Sequence, residues 1–506
     1  MKLKFKNIGF GILFASTLTA CDLDIDPTNA LPAEKAFSTT VNADEILQGT
    51  WQNVFNDAVT YASVGFGAIQ LNDDFAGSDA VRAVSYGFSY SYNLTDGYGR
   101  RQINSIMWDI AYKSINNCNG IIKNIETIQG NETDKKRIEG QAYATRGFMY
   151  LLLASHYSFA IDKDPNAVCV PIYTEPTTTG EQALTGKAAS NVTEVYDRAI
   201  SDLKKGLELI PEDYSHGPYA VDQYRIDHVV AMGLLARASL YARHWQDAYD
   251  YASKTLQAHP YLMNETEYKS GFSDCSNKEW IWSYSSTIDD SFPSYIFHFK
   301  DATSKQSYYQ SLCVDPYFAA LFTADDYRGD LYKQWQPTSQ SSGVNYLVNE
   351  KFKFKDVKNQ LGDIVLMRSS ELYLIKAEAA ARLGLTSEAQ QALQTLQNAR
   401  MKDGKAPTVT ATGDELIKEI WLERRKELFG EGFALTDIIR NQQSVARTYY
   451  QKTENDELYQ GHRTVTFADG TAFVPNSKFY LYRIPQSEEL QNPDLYSKYP
   501  KLDFYR

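Results

Sequence analysis

Cysteine is scarce in this sequence, which has five cysteines among 506 residues. None of them lies in a C-x-x-C pair, so the chain lacks the spacing of a zinc ribbon or of a dithiol redox site. Four cysteines lie in the body of the chain. We expect them to be free, buried thiols, although their even number also permits disulfides; they are Cys118, Cys169, Cys275 and Cys313.

Basic residues are also fewer than acidic residues. The chain has 51 lysines and arginines against 63 aspartates and glutamates, which gives a formal net charge of −12. An acidic chain repels phosphate backbones, and this excludes nucleic acid as an expected partner. It also leaves no general electrostatic attraction to anionic lipids, so any membrane attachment needs another cause.

Catalytic and metal-binding patterns are missing as well. The seven histidines are scattered and form no H-E-x-x-H motif. The charges from Glu423 to Glu431 have the i, i+3 and i+4 spacing of helix ion pairs, so we predict a structural role for them. We therefore predict no catalytic residue, no metal ligand and no cofactor. Two carboxylates at a set separation are enough for glycoside hydrolysis, so a surface hydrolase stays a distant alternative.

The N-terminus has the features of an export signal. Lys2, Lys4 and Lys6 precede an apolar run over 8–20 that is too short to span a membrane. The run ends in Leu-Thr-Ala-Cys, which resembles the bacterial lipobox, so we predict a signal peptide over 1–20 and lipidation of Cys21. Several acyl chains on one cysteine give stable membrane anchoring. Residues 21–40 then form an acidic, lipidated tether.

A repeated spacing of twelve residues predicts the fold of the rest of the chain. Ala248 follows Ala236 at this step, and Ala389 follows Ala377. The spacing is typical of the tetratricopeptide repeat, in which small residues let two antiparallel helices pack closely. We predict a mainly α domain over 41–506, built on a tetratricopeptide-like scaffold of about four helix pairs, near 41–128, 135–209, 226–258 and 366–400, and closed by a C-terminal block over 414–506.

Two long segments lack helical periodicity and are rich in aromatic residues. They cover 60–101 and 261–365, and we predict that they form irregular, ligand-binding insertions. Aromatics alternate from Tyr86 to Tyr92, which places them on one face if the segment is extended. Ordinary packing of these rings in the core is the alternative. The residues expected to contact a ligand are Asp73, Arg82, Tyr86, Tyr90, Tyr92, Trp282 and Tyr295.

Three blocks of the sequence, in order, resemble the SusD/RagB-like family of outer-membrane lipoproteins of Bacteroidota. Arg368 to Ala379 reads R-S-S-E-L-Y-L-I-K-A-E-A and is similar to a helix of that family. Glu423 to Arg440 resembles its E-R-R-x-E-L block, and Tyr482 to Pro493 resembles its closing I-P and N-P motifs. With the lipobox, the resemblance covers nearly the whole mature chain.

The resemblance implies a function that composition does not reveal. It implies a non-catalytic lipoprotein of the outer membrane that faces the cell exterior. Such a protein captures oligosaccharides or polysaccharides and delivers them to a TonB-dependent, SusC-like transporter. Some members of the family bind peptides, and a peptide receptor is therefore the main alternative. The identity of the glycan and the presence of a calcium ion stay open.

Overall fold

The structure is a computed structural model that describes residues 37–502, apart from 85, 96–101, 217–222, 340 and 342. Its α-helices are α1 Thr40–Asn56, α2 Gly65–Ala76, α3 Ser89–Tyr92, α4 Gln102–Asn124, α5 Glu132–Tyr157, α6 Gly180–Ala183, α7 Val192–Leu209, α8 His228–Tyr241, α9 Trp245–Ala258, α10 Glu265–Tyr268, α11 Phe297–Lys300, α12 Pro316–Ala319, α13 Ser369–Arg382, α14 Thr386–Ala399, α15 Gly413–Glu427, α16 Ala434–Arg440 and α17 Gln486–Gln491.

The long helices form a continuous array in which each packs on the next. The order of packing is α1, α4, α5, α7, α8, α9, α13 and α14, and α15 packs on α13. This arrangement confirms the predicted mainly α fold with tetratricopeptide-like helix pairs. Ala236 and Ala377 are completely buried at the crossings, as their spacing indicates.

Glycines permit a close crossing between α5 and α7. A Cβ atom on Gly147 would lie 2.8 Å from the carbonyl oxygen of Ala199, and one on Gly206 would lie 2.8 Å from that of Gly140. Beside them, Arg146 of α5 donates to both carboxylate oxygens of Asp202 on α7, at 2.8 and 2.7 Å. The two helices are therefore joined by close backbone packing and by a buried ion pair.

Short strands complete the fold between and after the helices. They are β1 Ala80–Arg82, β2 Trp280–Tyr284, β3 Leu312–Val314, β4 Trp335–Pro337, β5 Val344–Leu347, β6 Ile364–Arg368, β7 Gln451–Glu454 and β8 Glu457–Gln460. β1 pairs with β3 and β2 pairs with β6, both antiparallel. The remaining strands form a sheet in the order β4-β5-β8-β7.

The segment predicted to be irregular over 60–101 is in fact partly helical. All twelve residues of α2 are buried, because this helix lies inside the molecule and packs on α1, α4 and α16. The prediction failed because a helix that is buried on every side lacks the polar face that produces a helical period. The described parts of the segment 261–365 consist of short strands, short helices and loops, as the sequence indicates.

A buried ion network joins the C-terminal block to the middle of the chain. Glu427 accepts hydrogen bonds from Arg328, Arg368 and Arg400 at 2.7, 2.6 and 2.9 Å. Glu431 accepts from Lys351 at 2.6 Å. The charges balance, with five acids and five bases; the acids are Glu279, Asp326, Glu423, Glu427 and Glu431, and the bases are Arg328, Lys351, Arg368, Arg400 and Lys426.

The network explains the charged motifs as structural elements. Burial alone would raise the pKa of Glu427, but the guanidinium groups of Arg400, Arg368 and Arg328 outweigh it and hold the pKa well below its usual range. A charge in the protein interior is tolerated when it is paired and hydrogen-bonded in this way. Glu423 and Glu427 therefore fix neighbouring elements.

The four cysteines of the described chain are free and buried. Burial raises the pKa of Cys118 and of Cys275 to about 12, so both are protonated thiols at neutral pH. The predicted lipidation site, Cys21, and the signal peptide lie outside the described residues. Among the described helices, none has both the length and the apolar character that a membrane crossing requires.

Candidate functional site

The two predicted insertions meet at a cluster of exposed tyrosines. Tyr61 stacks on Tyr295 with ring centroids 4.7 Å apart, and Tyr86 stacks on Tyr309 at 4.9 Å with the planes inclined by 10°. The hydroxyl oxygens of Tyr295 and Tyr309 are 3.4 Å apart and join the two stacks. We call this surface the tyrosine platform; it consists of Tyr61, Tyr86, Tyr295, Tyr308 and Tyr309.

The outer rings of the platform are accessible to a ligand. Tyr61 is 53% exposed, Tyr86 is 42% exposed and Tyr308 is 52% exposed, whereas Tyr295 and Tyr309 are half-buried beneath them. Exposure of apolar aromatic rings to water costs free energy, so a group of exposed rings is typical of an interaction surface. Tyrosine suits such a surface because its ring is apolar and its hydroxyl is polar.

Short turns hold the platform in place. Tyr61 begins a 3-10 turn over Tyr61–Ser63, and Tyr295 lies in another over Phe292–Ile296. Gly87 follows Tyr86 with φ at +66°, and a Cβ atom there would lie 2.9 Å from that of Ala62. The chain therefore needs glycine at 87 to bring Tyr86 beside Tyr309.

Two further rings support the platform from below. The Phe299 ring stacks beneath Tyr309 at 4.3 Å, and the His298 ring stacks on Tyr308 at 4.1 Å. Burial lowers the pKa of His298 to about 4, so this ring is neutral at physiological pH. Burial also raises the pKa of Tyr86 and of Tyr295. These residues thus present an uncharged surface.

A cavity of about 470 Å³ opens beside Tyr86. Its described wall includes Tyr90, which is half exposed, and none of the described lining residues is charged. Several have hydroxyl or amide side chains; these include Thr60, Ser63, Asn72, Ser89 and Ser91. Hydroxyl and amide groups both donate and accept hydrogen bonds. The cavity therefore suits a neutral ligand that carries several hydroxyl groups.

Arg82 supports the platform through the backbone of the turn that carries Tyr86. Its guanidinium group donates to the carbonyl oxygens of Val84 and Gly87, and it lies 5.7 Å from the ring of Tyr92. Burial lowers the pKa of Arg82. The arginine fixes the turn that carries Tyr86, and its contact with ligand hydroxyls stays a prediction because the side chain is partly exposed.

Trp282 was wrongly predicted as a stacking residue. It lies in β2, is completely buried and donates from Nε1 to the carbonyl oxygen of Tyr224 at 2.7 Å. Its ring contacts those of Trp51 and Phe148 at 5.3 and 5.0 Å. A strand in the middle of a helical domain is buried on both faces, so its aromatic residues belong to the core.

Tyr92 and Asp73 are buried as well, which corrects two further site predictions. The hydroxyl of Tyr92 lies 2.8 Å from Nδ1 of His462. The segment that carries Tyr92 is the helix α3, so the expected alternation of aromatics on an extended chain is wrong. The Asp73 carboxylate contacts His156 at 2.8 Å and accepts from Tyr482 at 3.0 Å.

Ser155, His156 and Asp73 form a chain of contacts like that of a hydrolytic triad. Ser155 Oγ lies 2.9 Å from His156 Nδ1, and His156 Nε2 lies 2.8 Å from Asp73. Ser155 Oγ donates to the carbonyl oxygen of Leu152 at 3.0 Å, so the serine hydrogen is directed to the backbone and not to His156. All three side chains are buried, and the arrangement is structural.

One group of side chains comes within metal-binding distance among the described residues: Asp274, Cys275 and Asp363. The Asp363 carboxylate already accepts from the backbone nitrogens of Cys275 and Ser286, and from Lys355 at 2.6 Å. These contacts join the segment that carries Asp363 to the loop that carries Cys275. A separate cavity of about 360 Å³ is lined by two ion pairs: Arg425 donates to Asp79 at 2.6 Å, and Arg424 donates to Asp437 at 2.6 Å.

Sequence reasoning missed three members of the platform. Tyr308 and Tyr309 form a doublet within the segment 261–365, and Tyr61 lies at the start of the segment 60–101. This doublet is a sequence pattern from which both residues could have been selected as site candidates. No local pattern shows that Tyr61 stacks on Tyr295, because these residues are far apart in the sequence and meet only in the folded chain.

The fold and the platform define a class of protein: a helical-repeat scaffold that carries an uncharged, aromatic surface on its insertions. Comparisons with known proteins then identify the family. Residues 333–501 match the family model described as "SusD family", and residues 23–240 match the model described as "Starch-binding associating with outer membrane". The chain belongs to the SusD family.

Solved structures agree with this assignment. A SusD-like carbohydrate binding protein from Bacteroides vulgatus ATCC 8482 is 47% identical, with 93% of this chain and 100% of that chain covered and a TM-score of 0.87. A SusD superfamily protein from Bacteroides thetaiotaomicron VPI-5482 is 23% identical over 90% and 99% of the two chains, with a TM-score of 0.74, and shares the fold. A SusD-like protein of Formosa agariphila is 23% identical over 87% and 93% of the chains.

Proposed function

We propose that this chain is a non-catalytic, cell-surface lipoprotein that captures oligosaccharides or polysaccharides on the tyrosine platform. The observation that carries the proposal is the pair of tyrosine stacks, Tyr61 on Tyr295 and Tyr86 on Tyr309, with exposed outer rings. Sugar rings have apolar faces that pack on aromatic planes, and their hydroxyls match the neutral wall of the adjoining cavity. The description of the relative from Bacteroides vulgatus as a carbohydrate binding protein supports this.

The lipid anchor is the second part of the proposal. Residues 1–20 are the signal peptide, Cys21 carries the lipid, and residues up to 40 tether the binding domain to the outer membrane, on its exterior side. A family model described as associating with the outer membrane supports this location. The acidic chain has no need of charge to hold it at a membrane, because acyl chains supply the binding free energy.

Delivery to a transporter is the third part. The partner is a TonB-dependent, SusC-like outer-membrane barrel, which receives the captured glycan. Release requires that the platform bind its ligand only moderately. A few stacked rings satisfy this, because each aromatic contact of this kind contributes about 1–3 kcal/mol by analogy with bases on aromatic side chains.

A binding panel tests the proposal. The mature chain with Cys21→Ala is run in native gels that contain amylopectin, laminarin, glucomannan, xyloglucan or arabinoxylan, and compared with Tyr86→Ala and Tyr295→Ala. We expect the parent to be retarded by at least one polysaccharide and both variants to be retarded less. Tyr261→Ala is the matched control, because Tyr261 is also exposed but packs on His259 and lines a cavity that contains none of the platform residues.

The panel also separates the alternatives. Binding of a peptide mixture with no binding of any polysaccharide would favour the peptide receptor and would contradict glycan capture. Salt provides a further test, because a neutral sugar releases no counterions on binding. Affinity for the retained polysaccharide should therefore be nearly the same in 50 mM and 500 mM sodium chloride.

A further inference from the structure

A second group of aromatic residues lies on the four-stranded sheet. Strand register assigns side chains to its two faces, because residues paired across strands point the same way. Trp335 shares a face with Leu347, and Asn345 shares that face with Tyr459, its partner on β8. Tyr346 points to the opposite face, where it packs on the core residues Val348 and Cys313.

The face that carries Trp335 is aromatic. Leu347, at one end of this face, belongs to the core, and Trp335 packs against that core. Trp335 stacks on Tyr450 with ring centroids 5.6 Å apart, and its ring meets Tyr459 edge-on at 5.3 Å. Tyr317 packs on Tyr450 at 6.1 Å and is 51% exposed. Trp335, Tyr450 and Tyr459 are partly exposed. We call Tyr317, Trp335, Tyr450 and Tyr459 the sheet aromatic surface.

Gly461 allows the segments that carry Tyr317 and Tyr450 to pack closely. A Cβ atom on Gly461 would lie 2.9 Å from Pro316 and 2.9 Å from the Cβ atom of Tyr450. A glycine at this position therefore lets the segment that carries Tyr317 approach the segment that carries Tyr450.

Polar groups next to the rings suit hydroxyl-rich ligands. Glu457 accepts hydrogen bonds from the Asn345 amide at 3.3 Å and from the Tyr459 hydroxyl at 2.6 Å. An amide and a carboxylate beside the partly exposed ring of Tyr459 are groups that can hold sugar hydroxyls in place while the rings contact the sugar face.

A short segment of the chain connects the sheet aromatic surface to the tyrosine platform. Ser339 donates from Oγ to the carbonyl oxygen of Tyr308, a platform residue. Ser339 lies four positions after Trp335 in the sequence. The distance between their Cα atoms is therefore at most about 14 Å, even if the chain is fully extended. One polysaccharide chain of a few sugar units spans such a distance.

We propose that the sheet aromatic surface is a second carbohydrate-binding site, which holds another stretch of the glycan chain bound at the platform. This inference rests on the proposed function. Two linked sites raise the affinity for a polymer through effective concentration, whereas a short oligosaccharide gains little. The protein would thus select polysaccharide chains over their short fragments.

A protein partner is less well suited to this surface. The edge strand β7 is short and fully exposed, and it carries the charged residues Lys452 and Glu454, which are paired at 2.6 Å. Charged, short edge strands oppose pairing with a strand from another protein. The aromatic face of the sheet is therefore the accessible feature.

Four forms of the mature chain with Cys21→Ala test the proposal: the parent, Trp335→Leu, Tyr86→Ala and the double variant. Leucine at 335 keeps an apolar side chain over the sheet, and thermal melting checks that each form is folded. The probes are amylopectin, laminarin, glucomannan and xyloglucan in affinity gels. We expect Trp335→Leu to weaken binding of the retained polysaccharide about five- to hundredfold, and the double variant to bind more weakly than either single variant.

The outcomes distinguish this proposal from the platform proposal. Parent-like binding by Trp335→Leu, with weakened binding by Tyr86→Ala, overturns the second site and leaves the platform. Weakened binding by Trp335→Leu alone supports the sheet site and overturns the platform as the main site. No binding of any polysaccharide by the parent overturns both. Loss of transporter association by Trp335→Leu, without loss of glycan binding, would show a protein interface and overturn the second site.

Trp335→Phe and Tyr450→Leu complete the set. Phenylalanine keeps an aromatic plane at 335, so this variant should bind the polymer more tightly than Trp335→Leu. Tyr450→Leu removes the ring on which Trp335 stacks and should reproduce part of the loss. Equal affinities for Trp335→Phe and Trp335→Leu would contradict a stacking role for this residue.

Discussion

Replacement of Glu427 by glutamine perturbs the buried ion network at its centre. The Glu427 carboxylate accepts from three fully buried arginines, Arg328, Arg368 and Arg400. Glutamine has nearly the same shape but no charge, so the variant leaves one positive charge uncompensated among buried groups. Removal of one partner from a buried ion pair costs about 3–5 kcal/mol. We expect a loss of this size in the free energy of unfolding.

The melting temperature gives the simplest assay. With about 2 cal/mol/K of unfolding entropy per residue, a chain of this length has an entropy of unfolding of about 1 kcal/mol/K. The expected loss therefore lowers the melting temperature by about 3–5 °C. Glu415→Gln is the control, because Glu415 is an exposed glutamate that pairs with Lys418 on the surface of α15, and it should melt like the parent.

The pH dependence of the effect has a definite sign. The pKa of Glu427 is depressed in the folded state, so its contribution is present above the pKa of the unfolded chain, about 4.3, and is lost as the pH falls. The difference in stability between the parent and Glu427→Gln should thus be constant at neutral pH and should shrink below about pH 4. A variant that melts like the parent at pH 7 would refute the role given to the network.

Further predictions concern the core, the anchor and the chemistry. Ala236→Glu places a charge in a close helix crossing and should cost several kcal/mol in thermal unfolding, whereas parent-like melting would show that α8 and α9 do not pack as described. Trp282→Ala should lower the free energy of unfolding by about 3–5 kcal/mol. If this variant instead loses glycan affinity and keeps its stability, Trp282 contacts the ligand. Cys21→Ala should move the protein from the membrane fraction to the soluble fraction and remove the acyl mass. The purified mature chain should release no sugar from a polysaccharide that it binds, and steady product release would show an enzyme.

The helical scaffold could be predicted because its sequence signal is local. Small residues such as Ala236 and Ala377 recur at the spacing of a helix hairpin, and each hairpin packs mainly on its neighbours in the chain. The buried helix α2 could not be predicted in this way. Both its apolar and its polar residues are buried. The hydrophobic periodicity of its sequence therefore does not distinguish one face of the helix from another.

The candidate site was only partly predictable for a related reason. Tyr86, Tyr90 and Tyr295 were selected from the sequence, and the structure leaves all three at least partly exposed. Trp282 was selected by the same aromatic criterion but is buried, because composition does not distinguish a binding loop from a core strand. Stacking between distant residues depends on the folded chain, and sequence spacing does not reveal it.

The segment between β2 and β3 is held at both ends by strands. Residues 285–311 carry Tyr295, Tyr308 and Tyr309, whereas β2 pairs with β6 and β3 pairs with β1. This segment is thus a natural unit for grafting. Exchange of residues 285–311 for the corresponding segment of another family member would replace three of the five platform rings and leave both anchoring strands intact. Such chimeras offer a route to receptors with altered glycan preference on an unchanged scaffold.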